Sequence, residues 1–183
     1  TTMLTGAWAG GALTGFCLAG RSLSHCGDPL RLAGAGLVAG ITAFLLVLFA
    51  APFASVLLLF AGAFAIGLGL GLFSVGTLTE TMVRARGEGA GLALGAWGAV
   101  QASCAGVAIA IGGGLRDALS QTASAGGLSG ALNTPAAGYS GVYIIEIFLL
   151  LAALVALGPL VARRRDLGDT QPLARPFGLR EFP

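Results

Sequence analysis

One carboxylate stands inside the apolar run Val142-Tyr-Ile-Ile-Glu-Ile-Phe148, and Glu146 is the residue with the clearest chemical potential in this chain. It falls about 10 Å inside the edge of a segment that suits the hydrocarbon core of a bilayer. An ionisable group at that depth is costly, so it faces a bundle interior, pairs with a partner or serves the function. Tyr139, Tyr143 and Glu146 are spaced by four and three residues and share one helical face. Two readings of Glu146 stay open: a carboxyl that locks helix packing, with Arg116 as a partner near the same side, or a group that contacts a ligand.

A second stripe, Trp97, Gln101 and Cys104, repeats the same four-and-three spacing. An aromatic ring, an amide and a thiol on one face suit a cavity for a flat, partly polar ligand. The competing reading is that Gln101 bonds a neighbouring helix while Trp97 packs. His25 is the only histidine and falls in a short loop beside Cys26 and Asp28, a surface position. Cys17, Cys26 and Cys104 form no C-x-x-C pair and point to neither a metal site nor a disulfide framework. The run Gly67-Leu-Gly-Leu-Gly-Leu72 lies inside an apolar segment, where a phosphate loop cannot operate. With no Ser/His/Asp set, no H-E-x-x-H and no paired carboxylates within a span, enzymatic activity is not expected.

The elements that must position these residues follow from composition. Of 183 residues, 56% are apolar and only 10% charged, with mean hydropathy +0.89. A soluble domain of this length needs more charge, so an all-α membrane protein is expected. Five runs suit spanning helices: about Met3 to Ala19, Leu32 to Ala50, Ser55 to Thr77, Ala90 to Leu115 and Val142 to Val161. None alternates with a period of two, which excludes strands. All ten basic residues are Arg, and a net charge of +2 without a basic stripe gives no sign of nucleic acid as a partner. Arg21 and Arg31 flank one loop, Arg84 and Arg86 another, and Arg163, Arg164 and Arg165 follow the last span. The intervening connections are nearly uncharged, so the positive-inside rule places these loops and the C-terminus in the cytoplasm. Five spans then put Thr1 on the outer side, and further helices are expected upstream of it. The 31 glycines include Gly11/Gly15, Gly67/Gly71 and Gly91/Gly95, spacings that let helix backbones approach closely. Gly6/Gly10 and Gly36/Gly40 repeat the pattern. Residues 1–162 are expected to form the bundle, and 163–183 a flexible cytoplasmic tail.

The segments Gly91-Leu-Ala-Leu-Gly-Ala-Trp-Gly-Ala-Val-Gln101 and Gly112-Gly-Gly-Leu-Arg-Asp117 resemble the PucC/LhaA family. Gly71-Leu-Phe-Ser-Val-Gly-Thr-Leu-Thr79 and Gly138-Tyr-Ser-Gly-Val-Tyr-Ile-Ile-Glu146 are similar to the same family's later helices. These are the bacteriochlorophyll delivery proteins of the major facilitator superfamily. Gly11-Ala-Leu-Thr-Gly-Phe-Cys-Leu-Ala-Gly-Arg21 resembles that superfamily's glycine-rich helix end closing on Arg. The resemblance implies that the five spans correspond to helices 8–12 of a twelve-helix fold. It also implies assembly of light-harvesting antenna complexes in the inner or intracytoplasmic membrane of a phototrophic bacterium. Bacteriochlorophyll or a precursor would be the cargo, with antenna polypeptides and the reaction centre–antenna complex as partners. Glu146, Trp97, Gln101 and Tyr143 are the expected pigment-binding or cavity-lining residues. A proton-coupled transporter of a small amphipathic solute, titrating at Glu146, is one alternative. A structural subunit packed on antenna helices is another.

Overall fold

In the computed structural model the chain is helical. Residues 2–25, 27–85, 89–124 and 137–167 are described, without the side chains at 119, 120, 122–124, 137–139 and 162–167. Five helices follow in order: α1 (Thr2–Ser24), α2 (Pro29–Ala50), α3 (Val56–Arg84), α4 (Ala90–Ser124) and α5 (Ala137–Leu167). No strand occurs among the described residues. The segments Pro29–Ala50, Val56–Arg84, Ala90–Ala118 and Ser140–Val161 are long and apolar enough to cross a membrane. α1, 23 residues long, is not among them; it carries five glycines and three threonines.

Local chemistry sets the helix ends. Asp28 caps α2, its carboxylate accepting from the Leu30 N–H at 2.9 Å, and Pro29 occupies the first helical turn, where a missing N–H costs nothing. Ser55 caps α3 through the Leu58 N–H. Between them Ala54 takes φ 46° while the Ser55 N–H donates to the Ala50 carbonyl, a left-handed close of α2.

Every helix outruns the expected span at one end or both: α1 reaches Ser24, α2 begins at Pro29 and α4 reaches Ser124. α3 continues past Thr77 to Arg84, because the polar residues Thr79, Glu80 and Thr81 remain compatible with a helix once it leaves the apolar layer. α5 runs from Ala137 to Leu167, past the expected end at Val161 and through Arg163–Arg165; Arg is a good helix former. Residues 168–183 lie outside the described residues, as does Arg86.

The core sits in α1, α2 and α3. Its buried apolar residues are mostly small, including Ala12, Ala19, Ala33, Ala43 and Ala63, with Leu30, Leu37, Val47 and Leu72. α3 is the hub, and its glycines form two stripes. Gly67 and Gly71 face α1: a Cβ on Gly67 would strike the Trp8 carbonyl oxygen, and one on Gly71 would meet the Ala12 oxygen at 2.7 Å. Gly11 and Gly15 answer from α1 against Phe64, Leu68 and Gly71. Gly62, Gly69 and Gly76, spaced by seven, face α2 and meet Val47, Gly36 and Pro29. A heptad spacing keeps one seam in register along the whole contact. With backbones this close, dispersion and small-residue packing replace the hydrophobic effect that lipid removes.

α5 packs antiparallel on α2, and α4 touches α5 and, more lightly, α3. Among described side chains, none on α4 or α5 is buried. A Cβ on Gly91 or Gly95 would meet nothing within 4 Å, so the expected packing of that pair is not made within the described residues. The same holds for Gly6 and Gly10.

Candidate functional site

The antiparallel register puts Arg21, Arg31 and Arg84 at one end of the bundle, together with the C-terminal end of α5. Gly76 lies beside Pro29 and Ala33, and Gly34 faces Leu157. Not all of this charge is free. Arg84 Nε donates to Glu80 Oε1 at 2.7 Å, and Arg31 approaches Asp28 at 4.0 Å.

Glu80 is a residue the sequence reading missed. It is only 8% exposed and lies one turn beyond Gly76 on the stripe that faces α2. Its signal is the spacing Gly69-Gly76-Glu80-Arg84, which a third span ending at Thr77 leaves out. A carboxylate placed in a loop needs no partner, whereas one on a packed helix face does.

Trp97 ties α4 to α3. Its Nε1–H donates to Thr77 Oγ1 at 3.3 Å, and the Thr77 hydroxyl donates in turn to the Phe73 carbonyl at 2.9 Å. Gln101, one turn further on, is half-buried, and Cys104 is exposed. The Trp97–Thr77 hydrogen bond joins α4 to α3. Trp97→Phe keeps the ring and removes the donor. It is expected to loosen the α3–α4 contact by about 1 kcal/mol, the usual net worth of such a bond. Faster proteolysis or hydrogen exchange in α4 with α1–α3 unchanged is the measurement that checks it.

Tyr143 and Glu146 face a different neighbour. The Tyr143 ring stacks on Phe44 of α2, with centroids 5.9 Å apart and planes tilted by 39°. Leu150 and Leu157 continue this face against Gly40 and Gly34. Glu146, half-buried, falls between Tyr143 and Leu150 on the same face. Among the described residues it makes no hydrogen bond or ion pair, and the Arg116 expected as its partner bonds Asp117 at 3.3 Å instead. The side chain of Tyr139 lies outside the described residues.

The four proposed cavity residues therefore form two groups. Through Thr77, Gly76 and Ala33, Trp97 sits at the level of Leu157 on α5, eleven residues from Glu146. At 1.5 Å per residue the two lie about 17 Å apart along the bundle. Tyr143 and Glu146 belong near the end away from the Arg cluster, Trp97 near the Arg end, and Gln101 between them. No group of three or more His, Cys, Asp or Glu side chains that could hold a metal ion occurs among the described residues.

Comparison with known proteins gives this arrangement a family. The sequence profile described as PUCC protein matches residues 1–165. An uncharacterised protein of the puhA-bchM intergenic region of Rhodobacter capsulatus is 49% identical over 185 residues, covering all of this chain and 38% of that protein. Protein PucC of Cereibacter sphaeroides is 44% identical over 161 residues, covering 88% of this chain and 34% of its own length. Protein PucC of Rhodobacter capsulatus is 39% identical over 166 residues, covering 89% of this chain and 34% of its own length. The chain thus spans little more than a third of the curated relatives it matches. No solved structure matches it. With a matching profile over nearly every described residue and relatives of this identity, the chain belongs to the PUCC protein family.

Proposed function

We propose that this protein assists the assembly of photosynthetic light-harvesting antenna complexes by binding and handing over bacteriochlorophyll or a precursor. The observation that carries the proposal is Glu146: a carboxylate without a partner among the described residues, on an apolar helix, beside the Tyr143–Phe44 aromatic pair. A hard cation such as the pigment's magnesium takes oxygen ligands, and an aromatic pair offers a flat macrocycle a stacking wall. Glu146 would hold the metal or a polar ring substituent, with Tyr143 beside it. Gln101 and Trp97, about 10 and 17 Å along the bundle, suit the less polar remainder of an elongated pigment.

The five helices then correspond to helices 8–12 of a major-facilitator-type fold. The Arg-bearing end, the C-terminus included, faces the cytoplasm by the positive-inside rule. The membrane is that of a phototrophic bacterium, and the protein acts as a carrier, not an enzyme. Antenna polypeptides and the reaction centre–antenna complex are its partners. A proton-coupled transporter is the second reading, because the same unpaired carboxylate at Glu146 suits a proton site.

The test is an absorption spectrum with pigment extraction and mass spectrometry. It uses the full-length protein purified gently from a phototrophic host and cleared of antenna polypeptides. Stoichiometric bacteriochlorophyll is the expected result. A pigment-free protein that still captures antenna polypeptides would make it a structural subunit. One that captures neither would leave the transporter.

A further inference from the structure

We propose that the end of α1 holds the phosphate of an anionic phospholipid headgroup, with Arg21 as its principal ligand. Leu18, Arg21, Ser22, His25 and Gly27 line an open crevice of about 470 Å³ where α1 gives way to the α1–α2 loop.

The walls are fixed by the loop itself. His25 N–H and Gly27 N–H both donate to the Ser22 carbonyl, at 3.2 and 3.0 Å. A Cβ at Gly27 would fall 2.6 Å from that oxygen and 2.7 Å from the Ser22 hydroxyl, so only glycine permits this closure. The Arg21 carbonyl accepts from His25 Nδ1 at 2.8 Å and from the Ser24 hydroxyl at 2.8 Å. A carbonyl cannot donate, so the proton sits on Nδ1 and the imidazole is pinned against the helix end.

The charge in the crevice is unspent. The Arg21 guanidinium has no acidic partner among the described residues, unlike Arg31 and Arg84. The nearest carboxylate along the chain, Asp28, is engaged with the Leu30 N–H and with Arg31. A planar guanidinium with free donors binds phosphate oxygens in pairs, and the Ser22 hydroxyl adds another donor. The position argues for a lipid rather than free phosphate. Leu18, 48% exposed, lines the same crevice one turn deeper, where an acyl chain would run. The site also lies at the end where α1, α2 and α3 carry their Arg residues, the level at which headgroups meet spanning helices.

The experiment uses the protein in nanodiscs of phosphatidylcholine doped with phosphatidylglycerol, extracted gently and weighed by native mass spectrometry. One retained phosphatidylglycerol is expected. Arg21→Gln should lower its occupancy about five-fold, the worth of one basic residue at a lipid surface. Arg21→Lys should restore most of it, and Arg31→Gln should leave it unchanged. Excess inorganic phosphate should not displace the lipid. Equal retention by the wild type and Arg21→Gln would overturn the proposal, as would displacement of the lipid by inorganic phosphate.

Discussion

Gly67→Leu is expected to take the bundle apart, leaving little monodisperse protein after detergent extraction, while Gly91→Leu changes far less. The difference lies in what a side chain would meet. At Gly67 the new Cβ is driven into the Trp8 carbonyl and lies 2.8 Å from the Ala12 backbone nitrogen. Both belong to helix backbone, which cannot rotate out of the way as a side chain could. Either α1 moves off α3 or the helix distorts, and overpacking of this kind costs about 3 kcal/mol or more. The loss falls on the hub helix, whose opposite stripe, Gly62, Gly69 and Gly76, holds α2. A shift of α3 therefore strains both seams together. At Gly91 the same side chain enters open space. The measurement is the monodisperse fraction by size exclusion after graded heating. Wild-type behaviour of Gly67→Leu would show that α1 is not held to α3 through this contact.

That contrast also marks what could be read in the sequence. The glycine spacing was identical at Gly67/Gly71 and Gly91/Gly95, and periodicity alone cannot tell a stripe that meets a partner from one that does not. The stripe Gly62-Gly69-Gly76 is hidden because its spacing of seven skips a turn and its middle member, Gly69, lies inside the run Gly67-Leu-Gly-Leu-Gly71. Helix positions were legible because about 20 apolar residues admit few alternatives in a membrane. Their ends were not, since Thr79–Arg84 and Arg163–Leu167 are helix-compatible without being apolar. That shortfall is also why Glu80 escaped notice. At the candidate site, spacing puts Tyr143 on one helical face with Glu146, and Trp97 on one face with Gln101. It could not show that Trp97 addresses α3 while Tyr143 addresses α2, because depth depends on how neighbouring helices slide in register.

Glu146→Gln should leave the protein at normal abundance and cut antenna yield and pigment occupancy by about ten-fold or more. The substitution keeps the side-chain shape and an acceptor oxygen but removes the charge. A contact to a charged group contributes about 1.5–3 kcal/mol, which sets the factor. Folding should be spared because Glu146 is half-buried and has no internal ion pair among the described residues to lose. In that respect it is the reverse of Glu80, whose carboxylate accepts from Arg84 at 2.7 Å in a buried position. Glu80→Gln should therefore lower abundance before it touches pigment, so the two variants separate a binding carboxylate from a packing one. Tyr143→Phe provides the companion: it keeps the ring against Phe44 and removes only the hydroxyl, so it should cost less than Glu146→Gln. The assay is near-infrared absorption of membranes from a phototrophic host that lacks its own copy, with protein quantified by immunoblot. If Glu146→Gln gave full antenna yield, the carboxylate would have no part in handling pigment. Because a proton-coupled transporter would also lose function with this variant, the pigment content of the purified protein decides between the two. Loss of pigment together with yield assigns Glu146 to the pigment, whereas loss of pH-dependent uptake by a protein that never held pigment assigns it to the proton.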